Sequence, residues 1–540
     1  METPRAAAAP VPTGRAAPSL ALVLAIPFFV ALVAFARGLG SDFTFDDREV
    51  VRDNPLLAEG TPFSRVVASP YGPVNTNRTL WRPLTVLTFA IERRLFGRTP
   101  LAHQVTNLVL AAAVAALVAA VGLRAGLRPA SAAIAGALFG AHPVHAEAVV
   151  GIVGRSELLA AACLLLSTLL ALRSFALRGS RRAGLAASAA LFFLALLAKE
   201  SAATLGLVIV VAALVRREPL RRLAAPLALH AAVLAAVLLL RRGVLGAVVF
   251  DMRSFVPFLD NPAAHASAGE RVLTALEGIA RTVRLLVFPD VLSADYSFDA
   301  IPVAKSLSLA ALAGAAILAS AGAALVLLRR RCPALAFGAG FFLATFALTC
   351  NLAFPIGTIF AERLAYLPSA GFAIALAAPW PRGRAATAAA AVAVVALAAR
   401  SAARCGDFRT QRALFESAVA ACPRSAKAWH NLAVERDREG DAAGAEAGYA
   451  AAVAIHPAFA EANFGLGKRL LLRRDRDGAE TAFRRGVEGD PTVDKNYLGL
   501  AQALIEARRF AEAAAVAEAA RANGHAAAAA EIARAIGGRR

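Results

Sequence analysis

PSLALVLAIPFFVALVAF, residues 18–35, contains no charged residue and approaches the roughly 20 apolar residues a helix needs to cross a bilayer. It follows a tail carrying Arg5 and Arg15. Its apolar core exceeds the usual core of a cleaved signal and no small-x-small site follows, so it reads as a retained anchor. Working outward, further apolar runs lie near 104–123, 131–150, 157–175, 184–198, 201–215, 223–240, 307–328, 334–350, 359–379 and 384–400. About eleven spans are predicted. Composition agrees, with 58% of the 540 residues hydrophobic and 18% charged, far from the balance of a soluble domain.

The 58 Lys and Arg exceed the 38 Asp and Glu by 20, but the excess is scattered between apolar runs. That is a topology signal and not a nucleic-acid surface. With the N-terminus inside, Arg124 and Arg128, then Arg173, Arg178, Arg181 and Arg182, then Arg216, Arg217, Arg221 and Arg222, then Arg329 to Arg331, then Arg382 and Arg384 all face the cytoplasm. The opposite loops hold the acids: Asp42, Asp46, Asp47, Glu49, Glu157, Glu200, Asp251, Asp260, Asp290, Asp295, Asp299 and Glu362. The predicted layout is a cytoplasmic tail, 1–17, and a membrane domain, 18–400, with outward loops 40–103 and 241–306. Segment 271–288 is apolar but carries Glu277, Arg281 and Arg284, and reads as an amphipathic helix on the outer face. An odd number of spans places everything after Arg400 outside. The Ala- and Arg-rich, Lys-poor usage resembles GC-rich bacterial coding, and sets the expectation of a bacterial inner membrane.

From Ala426 the chain repeats every 34 residues. Units 426–459, 460–493 and 494–527 align without a gap, which is the tetratricopeptide period. Leu432, Leu466 and Leu500 coincide, as do Ala433, Gly467 and Ala501, and Ala445, Ala479 and Ala513. Small residues there let paired helices approach, while Tyr449 and Phe483 fill the space between units. Residues 401–425 form a linker in which Ala413 to Pro423 is half a repeat, and 426–540 hold the repeats and a tail. The predicted fold is all-α, a polytopic transmembrane helical domain followed by a repeat solenoid. Such stacks bind extended peptides or partner helices in a concave groove; the alternative is a cap on the membrane domain.

Five cysteines give no metal framework. Cys163, Cys332 and Cys350 fall in or beside apolar runs, as small buried hydrophobes. Cys405 and Cys422 flank one predicted helix outside lipid and could pair in an oxidising compartment.

Candidate chemistry gathers on the outward side. Asp46 and Asp47 follow the first span beside Phe43 and Phe45, and adjacent carboxylates on an extended segment point opposite ways. They suit catalysis or a solvated acidic turn. Trp81-Arg82-Pro83-Leu84 opens an amphipathic stretch to Phe96, with Trp81 expected at headgroup level and Arg82 able to grip a lipid phosphate or merely to snorkel. His142, His145 and Glu147 suggest a metal site or, more commonly, hydrogen-bonded histidines. Arg155 with Glu157, Lys199 with Glu200, and Glu362 with Arg363 are opposite-charge pairs where apolar runs reach the outer side. Intramembrane charges cost a few kcal/mol each and therefore tend to pair around a polar cavity.

Phe45-Asp46-Asp47 with Asn54-Pro55, WRPLT at 81–85, AHPVHAEAVVGIVGRSELLA at 141–160, Ala198-Lys199-Glu200, Asp295-Tyr296-Ser297 and AERLAYLPSAG at 361–371, followed by repeats, resemble the transmembrane and tetratricopeptide-repeat O-mannosyltransferases, GT-C membrane glycosyltransferases. The resemblance implies a polyprenyl-phosphate sugar donor, dolichyl-phosphate mannose in eukaryotes, and Ser or Thr acceptors on the luminal side. The array is shorter than in animal members, at about three and a half repeats, which leaves the acceptor open. On that reading Asp46 is the base that takes the hydroxyl proton, and Asp47 orients the loop or assists. Arg82, Arg155, Lys199 and Arg363 meet the charge of the leaving phosphate. His142, His145, Glu147, Glu157, Glu200 and Glu362 are sugar-facing or cavity groups, and one displacement inverts the anomeric centre. A divalent metal, used by some GT-C enzymes, is not favoured, and no other cofactor is expected. The expected partners are membrane lipid, the lipid-linked sugar and an acceptor protein held by the repeats, with no nucleic acid. The alternatives are a non-enzymatic scaffold with outward repeats and a glycosyltransferase acting on an envelope glycan or lipid.

Overall fold

The computed structural model describes residues 19–72, 79–176, 181–247 and 256–538; the expected 1–17 tail, Arg178 and Asp251 lie outside them. The described residues are helical, with no strand among them. Each apolar run carries a helix whose ends follow local chemistry. Ser19, Thr99 and Ser308 cap theirs through the backbone N–H of Leu22, Leu101 and Ala311, at 3.3, 3.4 and 3.0 Å. Prolines open Pro100–Ala125, Pro129–Gly140 and Pro333–Phe346, where a missing N–H costs nothing. Gly126 ends one helix at φ 107°, a left-handed cap that glycine adopts freely.

Among the described residues six helices are long and apolar enough to cross a bilayer: Leu20–Gly38, Pro100–Ala125, Ile152–Arg173, Ala224–Leu245, Leu309–Leu327 and Arg384–Phe408. This is a membrane protein. Burial separates centre from rim, since 67% of the Ile152–Arg173 window is buried against 11% for Leu309–Leu327 and for Arg384–Phe408. The central helices meet through small residues, Ala112, Ala115, Ala119, Ala132 and Ala135, as expected where close packing and not water exclusion drives association. Pro333–Phe346 and Tyr366–Ala377 cross on glycine: a Cβ at Gly338 would lie 2.5 Å from the Ala375 nitrogen, and one at Gly371 2.5 Å from the Phe342 nitrogen.

The other five runs correct the expectation of simple spans. Run 131–150 is helical only over Pro129–Gly140, run 334–350 stops at Phe346, run 359–379 becomes α-helical at Tyr366, and run 201–215 starts as a 3-10 turn at Glu200–Thr204 before Leu205–Arg216. Arg181–Ala198 ends where that turn begins. Irregular backbone inside an apolar layer must find partners within the protein, and it does. Asn107 donates to the carbonyls of Val149, Gly151 and Ile152 at 3.4, 3.1 and 3.3 Å. Thr85 reaches the Ala198 carbonyl at 3.2 Å, Ser401 that of Ala141 at 2.7 Å, and Asn351 those of Thr358 and Ile359 at 3.0 and 3.1 Å. Polar side chains that look out of place in apolar sequence are what allow the helices to break.

Segment 271–288 is amphipathic as expected, forming Ala268–Val287 with a Ser267–Glu270 capping box and a buried face of Ala275, Ile279, Leu285 and Leu286. Trp81 departs from expectation: it is buried, its indole donating to the Val67 carbonyl at 2.8 Å, because Phe63–Val67 covers it. All five cysteines are free thiols, so Cys405 and Cys422 do not pair. Beyond the half-repeat helix Gln411–Ala421, helix pairs recur on the 34-residue period: Ala426–Arg438 with Ala442–Ile455, Ala460–Leu472 with Arg476–Gly489, and Asp494–Glu506 with Phe510–Ala522, closed by Ala526–Gly537.

Candidate active site

The turn after the first span is held from three sides. Gln104 bonds the Gly40 N–H and the Ser41 carbonyl at 2.9 and 2.7 Å. Phe45 sits at φ 52°, a left-handed conformation that costs a bulky residue energy and persists only when its surroundings enforce it. Two repeat-side groups enforce it: Gln411 accepts the Phe45 N–H at 2.6 Å, and the Phe415 ring packs edge-on with centroids 5.8 Å apart. The backbone here is a turn and not the extended segment expected, yet the two acids still diverge. Asp47 points inward, accepting the Val153 and Thr44 N–H groups at 2.9 and 3.4 Å. It fastens the turn to a helix break. Burial nevertheless outweighs those bonds and pushes its carboxyl up to about 7.

Asp46 points the other way. It is reached by water and yet enclosed by protein, which is the situation of a side chain lining an open cleft. Among the described residues its side chain forms no hydrogen bond or ion pair. Its enclosure raises the carboxyl above the ordinary aspartate range, opposed by the charges of Arg363 and Lys427 and reinforced by Glu147 and Asp260. Those four groups share the cleft with it.

The cations do not pair with their sequence neighbours. Lys199 holds Glu157, Arg363 holds Glu147 through both its guanidinium and its N–H (2.9 Å), and Arg82 holds Glu200 at 3.0 and 3.1 Å while lying 4.9 Å over the Tyr71 ring. Residues one or two apart on a helical turn face different directions, so each of the three predicted local pairs is replaced by a long-range one. Lys199 feels Arg82 and Arg363, and Arg363 feels Asp46 and Glu157. The three pairs therefore lie within charge range of one another at the helix breaks, and the Arg363–Glu147 pair is the one that acts on Asp46.

Four predicted site residues lie elsewhere. Arg155 is wholly buried and fully used, bonded to Glu92 at 2.7 Å, Asn107 at 2.8 Å, the His103 carbonyl at 2.7 Å and Thr88 at 3.3 Å. It braces the core and offers a phosphate nothing. His142 is tied to the Leu286 carbonyl at 3.1 Å, and His145 to Ser369 at 2.8 Å between the Phe139 and Tyr366 rings. Glu362, fully buried, accepts from the Ser293 N–H and the Tyr296 hydroxyl, both at 2.7 Å. These three turn into packing against the second outward loop and the helix beginning at Tyr366. Among the described residues no three His, Cys, Asp or Glu side chains group as metal ligands.

Sequence reasoning missed Lys427 and left Asp260 as an anonymous outward acid. Lys427 opens the first repeat helix and pairs with Asp260. Its only local signal is rarity, since the chain has five lysines. The repeats dock widely on both outward loops. Arg48 bonds Glu435 at 2.8 Å, the Asp42 N–H reaches the Arg409 carbonyl at 3.1 Å, and Ser425 donates to Asp295 at 2.7 Å. Array and Asp46 share one face by contact, whatever the span count.

Residues 253–320, covering the amphipathic helix and the start of the next, match the family model described as Protein O-mannosyl-transferase TMTC, DUF1736. The chain is 29% identical over 480 residues to the mouse protein named Protein O-mannosyl-transferase TMTC4, covering 77% of this chain and 64% of that protein. It is 29% identical over 470 residues to the human protein of the same name, covering 75% and 62%. With the Drosophila melanogaster protein named Protein O-mannosyl-transferase Tmtc2 identity is 35% over 295 residues, covering 52% and 31%. The chain thus spans less than two thirds of the length of these relatives.

Proposed function

On the matched segment and the aligned relatives the chain belongs to the TMTC protein O-mannosyl-transferase family, and from that premise we propose that it transfers mannose from a polyprenyl-phosphate donor to Ser or Thr hydroxyls of exported protein, with inversion. The observation that carries the reading is Asp46: the cleft acid whose side chain is left unpaired among the described residues, beside Arg363 and Lys427, cations that each hold an acid. Asp46 takes the hydroxyl proton as the oxygen attacks the anomeric carbon, and the bond from that carbon to the phosphate oxygen breaks on the opposite side. A positioned base is worth about 10²–10⁴-fold. The departing phosphate keeps both electrons of that bond, and Arg82, Lys199 and Arg363 supply the fixed positive charge it needs. Glu200, Glu157 and Glu147 hold those cations in place before the donor arrives. Side-chain cations already answer the phosphate charge, so the proposed chemistry requires no divalent metal.

The cleft and the repeats are proposed to face away from the cytoplasm, supported by the Arg distribution and by their shared face, in a bacterial inner membrane by composition. The repeat groove then presents the acceptor. The test is the full chain in nanodiscs with radiolabelled polyprenyl-phosphate mannose and a Ser/Thr peptide. Wild type should label the peptide with or without chelator, and Asp46→Asn should not. Label entering lipid or glycan instead of peptide moves the acceptor class. An Asp46→Asn chain as active as wild type leaves the scaffold reading in place.

A further inference from the structure

The repeat array reaches the cleft through Lys427, in the first turn of Ala426–Arg438. The placement is built by a chain of bonds. Ser425 caps the helix through the Ala428 N–H at 3.1 Å while its hydroxyl donates to Asp295 at 2.7 Å. The Ala426 N–H meets the Phe298 carbonyl, and the Asp299 N–H the Arg424 carbonyl, both at 2.8 Å. Asp260, which holds the ammonium, is itself fixed by the Ile359 N–H on its carbonyl at 3.0 Å. Lys427 is thus held by the second outward loop, partly exposed, and its helix packs on the turn of Asp46, where Phe45 lies in one apolar cluster with Ala428, Leu432 and Trp429; across that contact its charge acts on Asp46.

The other cleft cations come from the membrane domain and are each matched by an acid there. We infer that Lys427 is a positioning residue of the transfer site: docking of the first repeat unit places its positive charge over Asp46 on the side open to the acceptor. The inference rests on Asp46 acting as the base. Arg363 and Glu147 face Asp46 from the broken helices, Lys427 and Asp260 from the outer side, and Asp47 and Tyr71 from the turn and loop beside it. Within that set the Lys427 charge favours the ionised carboxylate and Asp260 opposes it. An undocked array would leave the base short of one cation, so the peptide-binding element and the chemistry would be coupled.

The experiment reads charge at position 46 without needing turnover. In the full chain, with its five native cysteines replaced, Asp46→Cys is alkylated across a pH series in nanodiscs, alone and combined with Lys427→Met, Lys427→Arg or Asp260→Asn. Lys427→Met should raise the half-alkylation pH by roughly 0.5–1 unit, the lower part of what an opposite charge does at close range across a wet cleft. Lys427→Arg should leave it in place and Asp260→Asn should lower it. An unmoved midpoint with Lys427→Met overturns the inference even if that chain is otherwise well folded. In the chain retaining Asp46, Lys427→Met should move the acid limb of the kcat/KM profile upward, with rescue by Lys427→Arg. A shifted thiol midpoint in a chain that never transfers mannose overturns the mannosyltransferase reading and leaves the charge relation between Lys427 and Asp46 standing.

Discussion

Replacing Arg155 separates a brace from a phosphate ligand. Arg155 is fully buried, with Glu92 2.7 Å away and only slightly exposed. Arg155→Met strands Glu92 beside His103 and leaves Asn107, Thr88 and the His103 carbonyl short of a donor. Breaking one side of a buried ion pair typically costs about 3–5 kcal/mol, because the remaining charge is uncompensated. At about 2 °C or less per kcal/mol for a chain of this size, the midpoint of thermal aggregation in detergent should fall by roughly 5–10 °C. Arg155→Met combined with Glu92→Gln should cost clearly less than the sum of the two single changes, the mark of residues in contact. Arg363→Met also leaves a buried acid, Glu147, without its partner, but the Arg363 guanidinium is itself partly exposed, so it should lower the midpoint by less than Arg155→Met does. It should in addition raise the KM for the lipid-linked donor, which Arg155→Met should not. Fluorescence-detected size-exclusion after heating reads the first quantity and donor titration the second. If Arg155→Met keeps the wild-type midpoint and loses donor affinity, Arg155 faces the donor and the account of the buried brace is wrong.

Activity of the wild-type chain should fall on acidification at a higher pH than an ordinary aspartate with pKa 3.8 would give. Enclosure raises the Asp46 carboxyl and a base must be ionised, which a kcat/KM profile measures. Arg48→Ala and Glu435→Ala should each speed protease cleavage within 401–425, with a coupling of about 0.5–3 kcal/mol in the double cycle, since their 2.8 Å pair clamps the array to the first loop. Gly371→Ala should lower thermal stability by about 1–3 kcal/mol, because its Cβ would enter the Phe342 backbone at 2.5 Å; an unchanged melting midpoint would mean the two helices separate freely.

Much was legible in the chain alone. Hydropathy runs, capping residues and a 34-residue period are local properties, and they place the repeat helices and six of the apolar runs. The position of Asp46 on the outward side of the first span was legible too, whereas its accessible, unpaired side chain was not. Its turn was misjudged as extended, since the left-handed Phe45 is enforced by Gln411, 366 residues away in sequence. Trp81 looked interfacial because nothing nearby says that another helix covers it.

What the sequence determined by itself is therefore the inventory: apolar helices, a repeat array, and charged residues placed where spans reach one side. What only the tertiary structure decided is who holds whom. Glu157 finds Lys199 across 42 residues, Glu200 finds Arg82 across 118, Asp260 finds Lys427 across 167 and Glu147 finds Arg363 across 216. Charge is felt through space and not along the chain, and neighbouring residues on a helical turn face apart. For that reason Arg155, which looks like a phosphate ligand in the sequence, braces the core, while Lys427, which looks like a repeat surface residue, stands at the cleft.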